Sequence, residues 1–316
     1  ALRRVRPQIS AWMEPAFTLA ALTTLAIILF MSRDWGGDRL GSRILNPIHF
    51  GDLALAFGVL SAVSLNGWRR DKAWVRVLKI AGLAAGLATS LITGSRGGWV
   101  ALPVVAALAF WELRRGKSAR WKVLAPVVAV LLFASVYASS NTVRERIDVV
   151  SSNLAQYEHG HEDTSVGVRL QLYKTALYLI GEHPVLGLGG HGFRNAMGAM
   201  AQQGKLTPFA ADLGKQEVHN QLLAYTADYG IVGGLALLSI YIVPALFFLT
   251  RLGSASAGAR CAARMGFLLA VMFFIFGLTV ETFDLKGTVS IYALVVAALA
   301  AIADRAHDRA SNPSPL

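Results

Sequence analysis

The sequence predicts an all-α protein that crosses a membrane several times and carries one long helical loop outside the bilayer. Hydrophobic residues make up 54% of the 316 positions and charged residues only 16%, well below the quarter that is typical of a soluble domain. A bilayer core of about 30 Å requires about 20 mostly apolar residues per helix. Eight stretches meet this requirement when tilt and short spans are allowed: 12–32, 48–67, 74–92, 97–113, 122–139, 221–250, 263–281 and 288–303.

Positive charge is distributed unevenly among the loops between these spans. The formal net charge is +11, but Lys and Arg concentrate in alternate short loops, near residues 3–6, 69–76, 114–122, 251–264 and 305–309. Short basic loops stay in the cytoplasm, so the loops near 33–47, 93–97, 140–218 and 282–287 are predicted to face the opposite side of the membrane. This alternation also argues against a nucleic-acid-binding surface.

One connector, residues 140–218, is much longer than the others. Loops of this length in a compact protein are usually functional, and this one has helical periodicity at 143–157 and 168–180 and an amphipathic stretch at 193–203. The predicted organisation is five spans in 1–139, an outer loop with helices in 140–218, three spans in 219–304 and a cytoplasmic tail in 305–316.

Two motifs in this loop are typical of cofactor or metal sites but lack the necessary context. Gly187, Gly189 and Gly192 fit the G-x-G-x-x-G pattern, yet no strand precedes them and no acidic residue follows at the required distance. We therefore expect a tight turn that leads into a helix at Phe193. The run Glu158–Asp163 contains two histidines and three carboxylates, but it is polar and loop-like, and we expect a solvated loop. The sequence predicts neither a metal nor an organic cofactor.

Arginine is unexpected on the outer side of a membrane unless it serves a function, which makes Arg96 and Arg169 candidate binding residues. Arg96 lies in TGSRGG, residues 93–98, where two glycines would let a ligand approach the backbone. A guanidinium presents a planar fork of donors, so two of them can hold a diphosphate without a metal. Arg39 and Arg43 are candidate accessory anion contacts. The alternative for all four is an interfacial side chain that only reaches the lipid headgroups.

His219 and Asn220 stand at the watery end of a long apolar run, in the segment EVHNQLLAYTADYGIVGG at 217–234. An ionisable group beside a membrane interface is a functional candidate, and an imidazole, with an unperturbed pKa of about 6.5, can accept a proton near neutral pH. A histidine that only caps a helix is the structural alternative. We therefore treat His219 as the candidate catalytic base and Asn220 as an accessory group that would orient it.

These separated motifs resemble the O-antigen ligase (WaaL-type) group within the Wzy/O-antigen polymerase-like membrane glycosyltransferases. The resemblance rests on TGSRGG at 93–98, VGVRLQLYKTAL at 166–177, HPVLGLGGHGF at 183–193 and HNQLLAYTADYGIVGG at 219–234. It implies a full-length protein of about twelve helices, so that about four N-terminal spans would precede this numbering. The chain's start at Ala1 rather than Met agrees with that expectation.

The resemblance also implies a reaction. Family ligases transfer O-antigen polysaccharide from undecaprenyl pyrophosphate to lipid A-core oligosaccharide, on the periplasmic side of the bacterial inner membrane, and their essential residues match Arg96, Arg169 and His219. An inverting, metal-independent transfer is the expected mechanism. An O-antigen polymerase or a protein O-oligosaccharyltransferase would use the same donor, and a transporter of lipid-linked sugars is the alternative from another class. The spans are nearly free of internal charge, which favours the enzyme.

Overall fold

The computed structural model describes residues 7–34, 40–43, 45–67, 70–113, 152, 157 and 159–311. Within these residues the chain is helical apart from loops and one short antiparallel strand pair, in which Arg33 faces Gly41. The elements in chain order are α1 (Pro7–Met31), β1 (Arg33–Asp34), β2 (Leu40–Gly41), α2 (Pro47–Val63), α3 (Ala73–Ile92), α4 (Arg96–Trp99), α5 (Ala101–Leu113), α6 (Ser165–Glu182), α7 (Gly192–Gln202), α8 (Pro208–Gly214), α9 (Gln221–Leu249), α10 (Ala257–Gly277) and α11 (Lys286–Ser311).

Five helices in the described part of the chain are long and apolar enough to cross a bilayer. They are α1 from Trp12, α3, α9, α10 and α11 as far as Asp304, while α2 and the stretch Gly97–Ala107 form shorter apolar helices. These helices match the predicted windows except 122–139, which lies outside the described residues. Almost all of the predicted helix at 143–157 also lies outside them. The chain is therefore a multi-pass membrane protein, and the number of its spans stays a prediction.

By its internal contacts the chain divides into two compact units: residues 1–101 with 236–316, and residues 102–235. In the first unit α2 packs closely on α3, because small residues face each other. A Cβ added to Gly86 would lie 2.4 Å from the carbonyl oxygen of Ala54 and 2.9 Å from the Cα of Gly58. Small residues at a helix contact let the backbones approach closely, which is how helices in membranes gain packing contacts.

A buried ionic cluster joins three segments of the first unit. Lys79 of α3 donates hydrogen bonds to the carboxylate of Asp71 at 2.9 and 3.0 Å, to the carbonyl oxygen of Ser64 at 3.0 Å, and to the carboxylate of Glu14 on α1. The Lys79 side chain is 3% exposed and that of Asp71 is 2% exposed. A charge is kept in such a place only when it is paired and hydrogen-bonded, so each member of the cluster depends on the others.

Apart from α5, the described part of the second unit consists of α6, α7, α8 and the beginning of α9. Apolar residues of these helices form one core, which includes Leu172, Phe193, Met197, Ala210 and Ala227. The predicted helices at 168–180 and 193–203 correspond to α6 and α7. The sequence patterns did not predict α8, although the hydroxyl of Thr207 caps it by accepting a hydrogen bond from the amide of Ala210 at 3.1 Å. Threonine followed by proline is a known helix-start signal.

Helix α9 is broken at Gly230, where φ is 63° and ψ is −163°. A segment that we call the crossing loop, residues 184–191, lies against the break and bonds to the backbone groups there. The amide of Ile231 donates to the carbonyl of Pro184 at 2.8 Å. Two further bonds run from Leu188 N to Ala227 O at 3.0 Å and from Gly189 N to Asp228 O at 2.8 Å. The span predicted at 221–250 therefore contains a break, which is possible because a glycine lies there and a loop takes over the backbone hydrogen bonds.

The end of the crossing loop is a tight turn into α7, as the glycine pattern predicts. Gly187 and Gly189 have φ values of +67° and +86°, and α7 begins at Gly192. The carboxylate of Asp228, on α9, accepts hydrogen bonds from the amides of His191 at 3.0 Å and Phe193 at 2.8 Å. A carboxylate satisfies the free amides at a helix N-terminus and complements its partial positive charge. Asp228 thus ties α7 to α9.

Candidate active site

His219 lies immediately before the cap of α9 and has a left-handed backbone, with φ of 61°. This conformation is uncommon for a residue other than glycine, costs of the order of 1–3 kcal/mol and persists only where the surroundings enforce it. The Tyr173 hydroxyl donates a hydrogen bond to the His219 carbonyl at 2.8 Å. On either side, Val218 is buried in the core and Asn220 caps α9 by accepting from the Leu223 amide at 3.0 Å. These contacts hold the backbone of His219 and so fix the point from which its imidazole extends.

Glu217 contacts the imidazole directly. Its Oε2 atom lies 3.4 Å from Nδ1 of His219, and the two side chains are 16% and 22% exposed. A carboxylate beside Nδ1 favours the tautomer with a proton on that nitrogen, which leaves the lone pair of Nε2 to act as a base. Glu217 is not among the residues predicted from the sequence. A carboxylate two positions before a candidate catalytic histidine is nevertheless visible in the sequence.

Tyr173 and Arg169 approach this pair from α6. They are four residues apart and so lie on the same side of that helix. Burial raises the pKa of Tyr173, while the charge of Arg169 and a hydrogen bond with the Asn220 side chain oppose that rise. The nearby carboxylate of Glu217 raises the same pKa further. Tyr173 is thus the residue around which the other side chains meet, and the sequence patterns did not predict it.

The cluster combines a proton acceptor with groups that favour an anion. Arg169 lies in the second turn of α6, and His219 immediately precedes the cap of α9. Helix N-termini carry a partial positive charge, and both residues lie at or near one. Asn220, the expected orienting group, serves as helix cap and partner of Tyr173. It acts on His219 through the backbone, and Glu217 is the residue beside the ring.

Arg96 belongs to the first unit, as the first residue of α4. The hydroxyl of the preceding Ser95 donates a hydrogen bond to the buried carboxylate of Asp52 at 2.5 Å. The two glycines after Arg96 pack closely against other residues of the first unit. A Cβ on Gly97 would lie 2.1 Å from the Thr279 hydroxyl, and one on Gly98 would lie 2.5 Å from the Asp52 carboxylate. Here the glycines permit packing around a segment that carries the arginine.

The remaining predicted residues lie apart or outside the described part of the chain. Arg43 is exposed between β2 and α2 in the first unit, and Arg39 lies outside the described residues. In the loop at 158–163, His159 and His161 are exposed. Among the described residues, no group of three His, Cys, Asp or Glu side chains is placed to hold a metal ion. The structure therefore brings Arg169, His219 and Asn220 together in one unit, and the approach of Arg96 to them stays a prediction.

Residues 81–238, half of the chain, match the model of a protein family described as O-antigen ligase. The chain belongs to the O-antigen ligase family. This confirms the family resemblance inferred from the motifs. The region shared with the family includes Arg96, Arg169 and His219, and it covers the whole of the second unit.

One relative extends the similarity beyond that region. A protein of Haemophilus influenzae, described as uncharacterized, is 25% identical over 274 residues, which are 85% of this chain and 67% of that protein. Together with the apolar helices, membership of the O-antigen ligase family supports an enzyme of the membrane glycosyltransferase type that acts on lipid-linked polysaccharide.

Proposed function

We propose that this chain is an O-antigen ligase that transfers O-antigen polysaccharide from undecaprenyl pyrophosphate to lipid A-core oligosaccharide at the periplasmic face of the inner membrane. The observation that carries the proposal is the cluster of Arg169, Tyr173, Glu217 and His219 in the second unit. Family membership supports the class of donor. The alternation of basic loops supports an outer location for this cluster.

In the proposed step, a sugar hydroxyl of the acceptor attacks the anomeric carbon of the donor. The bond between that carbon and the phosphate oxygen breaks, and its electron pair leaves with undecaprenyl pyrophosphate, so that the configuration inverts. The hydroxyl proton passes to Nε2 of His219 while the Glu217 carboxylate faces Nδ1, 3.4 Å away, and stabilises the imidazolium that forms. General base catalysis of this kind typically contributes about 10²- to 10⁴-fold to the rate.

The leaving diphosphate gains charge as the bond breaks, and fixed cations stabilise that charge more in the transition state than in the substrate. We assign this role to Arg169 and Arg96, with Arg39 and Arg43 as accessory contacts. Guanidinium groups bind phosphate oxygens in pairs and keep their charge at any relevant pH, so the proposal requires no metal.

The first test removes the base. His219→Ala should lower transfer by at least about 10²-fold, because it removes the proposed general base. His183→Ala is the matched control, since His183 is an exposed histidine of the same unit and should leave the rate unchanged. Purified variants in proteoliposomes, with synthetic undecaprenyl-pyrophosphate glycan and lipid A-core, give the rates. Near-normal transfer by His219→Ala would refute the assignment.

A second test separates the carboxylate from the base. Glu217→Gln keeps the size of the side chain but removes its charge, so kcat should fall by less than in His219→Ala and KM for the donor should change little. The pH dependence of kcat should also change, because the carboxylate stabilises the protonated imidazole. A fall in kcat with an unchanged pH profile would mean that Glu217 has only a structural role.

A third test addresses the arginines. Arg169→Lys and Arg96→Lys should each weaken donor binding or turnover, since a point charge does not reproduce the guanidinium fork. Arg76→Lys, an exposed position on α3, is the control. If the two variants turn over donor like the unaltered protein, the arginines are interfacial only.

The same assay distinguishes the related activities. Lipid A-core, free O-antigen units and an acceptor protein are offered side by side, with and without EDTA. Product on lipid A-core supports the ligase, product on free units a polymerase, and product on protein an O-oligosaccharyltransferase. Loss of activity in EDTA would overturn the metal-independent mechanism.

The break in α9 favours one further candidate, because discontinuous helices line the binding sites of many transporters. In this chain, however, the crossing loop of the same unit already bonds to Ala227, Asp228 and Ile231 at the break. Measurement of donor orientation in cells expressing His219→Ala separates the two functions. Flipped but unligated donor supports the enzyme, whereas donor that stays on the cytoplasmic leaflet supports transport.

A further inference from the structure

The tip of the crossing loop exposes two adjacent apolar side chains. Val185 is 59% exposed and Leu186 is 73% exposed. Directly beyond the break in α9, Ile231 and Val232 are 51% and 56% exposed. The bond from the Ile231 amide to Pro184 holds the loop against this part of the helix, so the loop tip and the exposed face of α9 form one apolar surface. A contiguous surface of this kind is seldom left in water.

The break lies where α9 would leave the hydrocarbon core. Residues 231–249 extend over about 28 Å at 1.5 Å per residue, close to the thickness of the core, which is about 30 Å. Tyr229, on the other side of the break, is 45% exposed, and tyrosine is enriched at the boundary between lipid and water. With residues 231–249 spanning the core, the crossing loop would lie at the height of that boundary.

The backbone on either side of the loop tip is hydrogen-bonded to α9, so insertion of the tip need carry only apolar side chains into the acyl-chain boundary. Irregular backbone is tolerated at membrane depth only where its polar groups are satisfied. The Pro184 carbonyl and the amides of Leu188 and Gly189 are bonded to α9. The residues just before the tip, Glu182 and His183, are exposed and polar, as expected for the part that stays in water.

We propose that Val185 and Leu186 insert into the acyl-chain boundary of the bilayer and anchor the second unit to the membrane surface. The partner is the lipid itself, since the exposed face of α9 that continues the patch belongs to a helix apolar enough to span the membrane. The insertion places the cluster around His219 within reach of the headgroup layer. It does not depend on the proposed reaction, and its test does not use activity.

Site-directed spin labelling tests the insertion on the full chain in lipid bilayers. Cys261 is the single cysteine and is buried, so Cys261→Ala gives a background in which one introduced cysteine is labelled. The label is placed by Leu186→Cys at the tip. Ile240→Cys, at an exposed position in the middle of 231–249, is the lipid control, and Gln202→Cys, exposed at the end of α7, is the water control.

Collision rates with oxygen, which concentrates in lipid, and with a water-soluble nickel chelate give the depth of each label. We expect the tip label about 5–10 Å below the headgroup level, with an oxygen-to-nickel ratio several-fold above that of the water control. A ratio equal to that of Gln202→Cys overturns the proposal. Val185→Cys gives an independent reading if the first variant does not fold. Low collision rates with both reagents would indicate that protein covers the tip, and would also overturn it.

Discussion

Gly230 connects the broken helix to the loop that lies against it, and its replacement by alanine tests this arrangement. The backbone angles at Gly230, φ of 63° and ψ of −163°, belong to a region essentially restricted to glycine. A Cβ there would also lie 2.0 Å from the carbonyl oxygen of Val185 and 2.6 Å from the amide nitrogen of Leu186. Both are backbone atoms of the crossing loop, so the loop must move away from α9 or the helix must rotate.

The size of the effect follows from these two outcomes. If the chain absorbs the strain in place, the cost is about 1–3 kcal/mol. If the loop separates, it loses three backbone hydrogen bonds to α9, at Ala227, Asp228 and Ile231, each of which contributes about 0.5–1.5 kcal/mol. Gly230→Ala should therefore destabilise the contact between loop and helix by about 1–4 kcal/mol. Since about 1.4 kcal/mol corresponds to a factor of ten, local opening should increase about 5- to 1000-fold.

Hydrogen exchange of the purified protein measures this opening directly at the amides of Leu188, Gly189 and Ile231. Gly181→Ala is the matched control: it lies in α6 of the same unit, and no atom lies within 4 Å of an added Cβ. That control should be neutral or slightly stabilising, by about 0.5–1 kcal/mol, because alanine favours a helix. Unchanged protection of the three amides in Gly230→Ala would refute the account of the break.

Three further predictions concern buried or half-buried polar groups of the two units. Lys79→Met should lower the free energy of unfolding by about 3–5 kcal/mol, because it leaves the carboxylates of Glu14 and Asp71 without their cation. Denaturation in detergent measures this loss. The double variant Lys79→Met with Glu14→Gln should recover part of it. Asp52→Ala should raise KM for the donor, because it removes the acceptor of the Ser95 hydrogen bond beside Arg96. Asp52→Asn can still accept that hydrogen bond and should change KM much less. Burial raises the pKa of Tyr173 above its unfolded value of about 10, so its contribution to stability is lost as pH rises above that value; Tyr173→Phe should therefore flatten the alkaline fall in the unfolding midpoint.

The sequence predicts the membrane-spanning helices well, because length and hydrophobicity alone specify such a helix. It also predicts α6 and α7, whose apolar residues recur at helical spacing. The break in α9 shows the limit of this reasoning. Gly230 is one of many glycines in apolar stretches, and its conformation is stable only because a loop about 40 positions earlier supplies the hydrogen-bond partners. No local pattern contains that information.

The candidate site was predicted in part for the same reason. Arg169 and His219 stand out as charged or ionisable residues at unusual places in a membrane protein, and the structure places them in one unit. Tyr173 has no such signal, since its role is to bond the carbonyl of a residue 46 positions later. The two glycines after Arg96 show the same limit, because close packing and ligand access both select glycine, and the structure shows the packing.

The arrangement around His219 suggests why a catalytic base would be held by its backbone. A side chain at the start of a membrane helix has few neighbours to restrict its rotation, and a small displacement can cost a large factor in rate. Here the left-handed backbone, the Tyr173 hydrogen bond and the Asn220 cap limit where the Cα–Cβ bond of His219 can point. Glu217 then needs to restrict only the ring. If this reasoning is correct, His219→Gly should not be rescued by added imidazole as fully as an exposed base would be, because the free base lacks the orientation that the backbone supplies.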